Sequence, residues 1–201
     1  MSTPARAGRV MFVVAAVVGA SFGAGDQYLG SLNAPGHWTV SVSLLSAPWV
    51  VLPFAFGCSQ LRSSRAAAVG LVVTLCALAG YFLMIMGPFE GGHWSFSLAE
   101  VRGLIVSNTL NLVGGLVTGP LYGWLGQRWR TRRAWTSAVL VAGALCLEPF
   151  AQAAAGNHYP GASTVYPVEI AAGFAVAAYF LVRGIAYRRR GGSELGKPMA
   201  V

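Results

Sequence analysis

Six acidic residues stand in the 201-residue sequence, and five of them, Asp26, Glu90, Glu100, Glu148 and Glu169, fall on the side of its long apolar runs away from the arginine clusters. Glu148 lies deepest, seven residues inside the end of an apolar run at 134–155, or roughly 10 Å at 1.5 Å per residue. A carboxylate at that depth in hydrocarbon costs at least about 2.5 kcal/mol, so the group must be protonated, paired, or set against a watery cavity. A protonated carboxylic acid in an apolar setting is a proton donor. Asp26 and Glu169 lie shallower at the same side. Gln152, one turn beyond Glu148, shares its helical face, and Asn108 with Asn111 put two amides on one face of another helix. Glu148, Asp26 and Glu169 are therefore candidates for proton chemistry, with Asn108, Asn111 and Gln152 as candidate substrate contacts. The structural alternative for the amides is bonding between helices, worth about 0.6 kcal/mol each.

Aromatic rings gather at the depth of the acids. Tyr28, Tyr81, Phe150 and Tyr166 are among them, and Trp49, beside Pro48, lies well inside an apolar run. Such rings form either an interfacial belt or a greasy pocket whose faces stabilise a passing cation. His37, His93 and His158 have no i,i+3 or i,i+4 spacing, and Cys58, Cys76 and Cys146 form no CxxC pair. Neither a metal nor another cofactor is expected.

The elements that position these residues are membrane helices. Only 10% of the chain is charged while 55% is hydrophobic, and 26 residues are glycine; a water-soluble domain carries roughly a quarter charged residues. Apolar windows long enough to cross about 30 Å of hydrocarbon fall at 10–29, 40–58, 66–87, 101–124, 134–155 and 165–186. Arg6 and Arg9, Arg62 and Arg65, Arg128 to Arg133, and Arg188 to Arg190 mark every second loop. The positive-inside rule then predicts an all-α, polytopic bundle of about six transmembrane helices in the plasma membrane, with both termini cytoplasmic. Residues 1–9 form a cytoplasmic lead, 10–186 the helical domain, and 187–201 a basic, disordered tail. A cleaved signal peptide ending after the first run is the alternative and leaves five spans. The net charge of +8 is spread over short interhelical clusters, so nucleic acid is not the expected partner. Membrane lipids and a lipophilic small molecule entering from the bilayer are. Gly19 with Gly23, and Gly115, Gly119 and Gly123, predict close helix packing.

The segments GASFGAGDQYLGS, SAPWVVLPFAFG, GYFLM, VTGPLYGWLG, LCLEPF and YPVEI resemble a family of small multispanning actinobacterial membrane proteins of unknown function. In size and in its one-sided acids the chain also looks like the small membrane-bound terpene cyclases of bacterial indole-sesquiterpenoid pathways. That resemblance implies a metal-independent, proton-initiated cyclisation of a polyprenyl or prenylated indole-type substrate, and no DDxxD-like diphosphate motif is present. Such a reaction needs a carboxylic acid donor, an apolar cavity, aromatic faces and a base. A proton- or cation-coupled transporter, with the same carboxyl groups as a relay, and a non-catalytic accessory subunit are the competing expectations.

Overall fold

The computed structural model describes residues 4–32, 38–43, 45, 47–87, 97–132, 135–154 and 162–194. Within them the chain is helical, with no strand, in the order α1 (Pro4–Ser31), α2 (Trp38–Ser43), α3 (Ala47–Cys58), α4 (Ser63–Ile85), α5 (Leu98–Ser107), α6 (Thr109–Arg132), α7 (Trp135–Ala154) and α8 (Ala162–Glu194).

Polarity is distributed inside out relative to a water-soluble domain. Val13, Val17, Val117, Val139, Phe174 and Val182 are between 59% and 65% exposed, whereas Asp26, Glu148 and Glu169 are 8%, 9% and 4% exposed. Apolar surface of this extent favours leaving water by about 25 cal/mol per Å², and ionisable groups within spans turn inward. The chain is an all-α, multispanning membrane protein. Three helices, α1, α4 and α8, contain single apolar stretches long enough to cross a bilayer, and α5 with α6 supplies a fourth if that bent pair is one span. The stretches Ala47–Cys58 and Val139–Phe150 are apolar but shorter.

Two of the expected spans are interrupted for local reasons. The window at 40–58 divides into α2 and α3, with Pro48 in the first turn of α3, where its missing N–H costs no helical bond. The window at 101–124 bends by 63° between α5 and α6. There Ser107, Asn108 and Thr109 all turn back onto the preceding turn: Ser107 Oγ and Asn108 Nδ2 donate to the Leu104 carbonyl at 3.1 and 3.0 Å, and Thr109 Oγ1 to that of Val106 at 2.9 Å. Three consecutive side chains competing for backbone acceptors account for the bend. Ser97 and Glu100 close a capping box that starts α5, with the Glu100 amide donating to Ser97 Oγ at 3.2 Å.

Glycines decide which helices touch. α1 packs on α4, α4 on α6, and α3 on both α4 and α6. Gly23 faces the Ala77 carbonyl, Gly80 that of Ala20, Gly57 that of Gly123, and Gly126 that of Phe54, and a Cβ at any of them would strike backbone. These close approaches make α1, α3, α4 and α6 one tight block. α7 and α8 form a hairpin beside it, joined through edge-to-face rings of Trp129 on α6 and Phe180 on α8, 4.4 Å apart.

The end of the bundle that carries the arginines is tied by polar contacts. Gln127, buried on α6, donates from Nε2 to the Leu61 carbonyl at 3.0 Å and accepts at Oε1 from Ser63 Oγ at 3.1 Å. Arg130 Nη1 donates to the Cys58 and Ser59 carbonyls at 3.1 and 2.6 Å, capping the C-terminus of α3.

Candidate functional site

Two acid centres lie toward the opposite end. The first belongs to α1. Phe22 and Asp26 are four residues apart and share a face, which Gly23 and Gly80 hold close against α4. Trp49, in the first turn of α3, has its indole N–H within hydrogen-bonding reach of the Asp26 carboxyl group. Its ring meets Phe22 edge-on at 5.3 Å and Tyr81 at 6.1 Å, and Tyr81 meets Phe82 at 5.7 Å. Asp26 is thus a buried carboxyl group at the head of a run of four rings drawn from three helices. The edge of one ring pointing at the face of the next leaves π faces of the kind that stabilise positive charge.

The second centre belongs to the α7–α8 hairpin. Glu148 and Glu169 are both buried, and their carboxyl groups adjoin, each close enough to feel the other's charge. Both oxygens of Glu169 are enclosed, and among the described residues no well-formed hydrogen bond reaches either one. The approach is made possible one turn further along α8 by Gly173, whose missing side chain admits Cys146: a Cβ there would lie 2.5 Å from Cys146 Sγ and 3.2 Å from its backbone nitrogen. Pro149 follows Glu148 and Pro167 precedes Glu169 by two residues, both inside helices. Each ring removes an N–H, so the carbonyls of Leu145 and Ser163 lose their ordinary i+4 donor. Two carboxylates packed together out of water repel, so a pair of this kind is stable with a proton shared between them or a cation beside them.

The other expected site residues are dispersed. Asn111 Nδ2 donates to Asn108 Oδ1 at 3.2 Å, and Asn108 Nδ2 to Leu104, so both amides serve the α5–α6 bend. Tyr28 and Phe150 are exposed, and Tyr166 is half-buried three residues from Glu169. Gln152 lies on α7, its side chain outside the described set, as are His37, His93 and His158. No group of three His, Cys, Asp or Glu side chains able to hold a metal occurs among the described residues. The pairing of Trp49 with Asp26, the space that Gly173 leaves for Glu148 and Glu169 to meet, and the loop clamp of Gln127 are tertiary relations that the sequence does not display. The i,i+4 relations of Phe22 to Asp26 and of Glu169 to Gly173 are the signals of them that it carries.

Comparison with protein-family models, with curated proteins and with solved structures finds no match for this chain.

Proposed function

We propose that the chain is an integral membrane enzyme that cyclises a polyprenyl or prenylated indole-type substrate by protonating it. The observation that carries this reading is Asp26, a buried carboxyl group facing the Trp49 N–H and followed by the rings of Phe22, Tyr81 and Phe82. In the proposed reaction the acid adds its proton to a terminal alkene or epoxide. The cation formed is attacked by the next double bond, a carbon–carbon bond closes, and a proton leaves carbon to a base. Substrate and product then have equal mass, and no metal enters because ionisation begins with a proton. The ring faces lower the cost of the cation in a medium without water. The resemblance to small membrane-bound terpene cyclases supports the same chemistry. Six crossings of the plasma membrane, with the arginine-bearing end cytoplasmic, are part of the proposal and follow from the basic clusters.

The adjoining Glu148 and Glu169 favour a second reading, a proton-coupled transporter in which that pair carries the proton. One experiment separates the two. Membranes containing the protein are incubated with a polyprenylated indole and with a simple polyprenyl alcohol, and products are sought as cyclised isomers of unchanged mass. Isomers lost in Asp26→Asn establish the cyclase, and their absence with every substrate, together with vesicle flux that follows a pH gradient, establishes the transporter.

A further inference from the structure

A groove of about 730 Å³ lies between the tight block and the hairpin, nearer the arginine-bearing end. Its walls are Val51 and Phe54 of α3, Val141 of α7 and Val176 and Phe180 of α8, over the ring of Trp129. It is distinct from the acid centres. Val141 precedes Glu148 by seven residues and Val176 follows Glu169 by seven, which sets the groove about two turns, or roughly 10 Å, away from the pair. The volume falls within the roughly 300–1,000 Å³ of sites that hold small ligands.

The basic end of the groove gives it a sign. Arg130 lines it there, and among the described residues its Nη1 donates to the Cys58 and Ser59 carbonyls, neutral groups that leave the guanidinium its charge. Tyr179 also lines the groove, with the exposed Arg183 guanidinium 5.5 Å above its ring. One exposed arginine thus lines the apolar slot, and a second lies over one of its lining rings. Of the six acidic residues, Glu194 alone falls on this side of the apolar runs. Basic pockets between membrane helices are matched to anionic head groups.

We propose that this groove is a site for an anionic phospholipid of the adjacent leaflet, one acyl chain lying over Trp129 and the head-group phosphate held by Arg130 and Arg183. The site is independent of the cyclisation reading, since its occupant is a membrane component and its readout is not catalysis. Two arginines near the surface, at about 1 kcal/mol each, set a preference for an anionic over a zwitterionic head group of about fivefold per arginine.

The test uses Trp129 as the probe. The full chain is placed in phosphatidylcholine vesicles in which an increasing fraction of lipid carries brominated acyl chains, on phosphatidylglycerol in one series and phosphatidylcholine in the other. The fluorescence belonging to Trp129 is the part absent from Trp129→Phe. It is expected to quench at a much lower mole fraction of brominated phosphatidylglycerol than of brominated phosphatidylcholine. Arg183→Gln, which leaves the α3 cap intact, is expected to reduce that preference about fivefold. Ala175→Phe, which fills the groove and replaces neither arginine, is expected to abolish quenching by both lipids, and inorganic phosphate is expected to have no effect. Equal quenching by the two lipids overturns the proposal, as does a preference unchanged in Arg183→Gln. No quenching by either lipid in the parent chain also overturns it and shows the groove covered by protein, such as a second copy.

Discussion

The carboxyl groups of Glu148 and Glu169 meet across α7 and α8 because Gly173, one turn beyond Glu169, leaves room for Cys146. The contact has a direct consequence for substitution. An amide in place of one carboxyl group keeps the shape and supplies a donor to the remaining oxygen acceptors. Glu148→Gln and Glu169→Gln are therefore expected to fold and to accumulate in membranes at the parent level. If the pair carries the proton of the reaction, each replacement lowers turnover by about 10²- to 10⁴-fold. Membrane abundance measured beside product formation checks this, and full turnover in both variants removes the pair from the mechanism.

Orientation gives a second prediction. Ser31 and Ser97 are exposed at the end that holds the acids, and Ser63 is exposed at the end that holds the arginines. In a background without Cys58, Cys76 and Cys146, a membrane-impermeant maleimide applied to intact cells is expected to label Ser31→Cys and Ser97→Cys but to spare Ser63→Cys until the cells are opened. The reverse pattern would invert the proposed topology, and labelling of all three would mean that α4 does not cross.

Much of this architecture is legible in the residue order, and the parts that are not have specific causes. The windows at 66–87 and 165–186 became α4 and the greater part of α8 because uninterrupted apolar residues leave the backbone no partner but itself in lipid. Pro48 marks the first turn of α3, and the Ser97–Glu100 capping box the start of α5; a hydropathy window averages over both. The bend at Asn108 depends on three neighbouring polar side chains turning onto their own backbone, a local competition that hydropathy does not register. The inward burial of Asp26, Glu148 and Glu169 follows from the cost of a carboxyl group in lipid. Their grouping, with Asp26 facing Trp49 and Glu148 facing Glu169, depends on which glycines admit which helix. That is a tertiary property. Gly19 and Gly23 announce close packing without naming α4 as the partner.

The two kinds of glycine in the hairpin are expected to respond oppositely to alanine. At Gly173 the new methyl group meets Cys146 Sγ and backbone, and overpacking of this kind costs about 1–3 kcal/mol. At Gly143, on α7, nothing lies within 4 Å of the added carbon, so Gly143→Ala gains up to about 1 kcal/mol from helix propensity. Unfolding midpoints in detergent check the sign of each. Adding Cys146→Ala to Gly173→Ala is expected to recover part of the loss by removing the sulfur while the backbone contact remains.

Gln127 predicts a local rather than a global defect. Its side chain serves the Leu61 carbonyl and Ser63, while Thr131 Oγ1 retains its own bond to the Gln127 carbonyl at 2.9 Å. Gln127→Leu fills similar volume but leaves those loop groups unsatisfied, at about 1–3 kcal/mol. The result expected is faster amide exchange over residues 59–63 with little change in α7 and α8. Uniformly faster exchange throughout would show that the clamp holds the whole bundle.

Asp26 and Trp49 permit a finer separation of roles than deletion of either. Asp26→Asn keeps an oxygen acceptor for the indole N–H but has no carboxylic proton to give, so turnover is expected to fall by at least about 10²-fold. Trp49→Phe keeps an aromatic ring between Phe22 and Tyr81 but has no N–H, so the carboxyl group loses a positioning contact. A hydrogen bond to a group that becomes charged is worth about 1.5–3 kcal/mol, which places the expected loss of turnover near 10- to 100-fold. Neither change alters the volume of the site much, so KM is expected to move less than kcat. The emission assigned to Trp49, taken as the difference from Trp49→Phe, is expected to persist in Asp26→Asn and to shift in Asp26→Leu, which removes the acceptor as well. If Asp26→Asn cyclises substrate at the parent rate while Glu148→Gln does not, the proton comes from the hairpin, and the rings around Trp49 serve only to pack α1, α3 and α4 together.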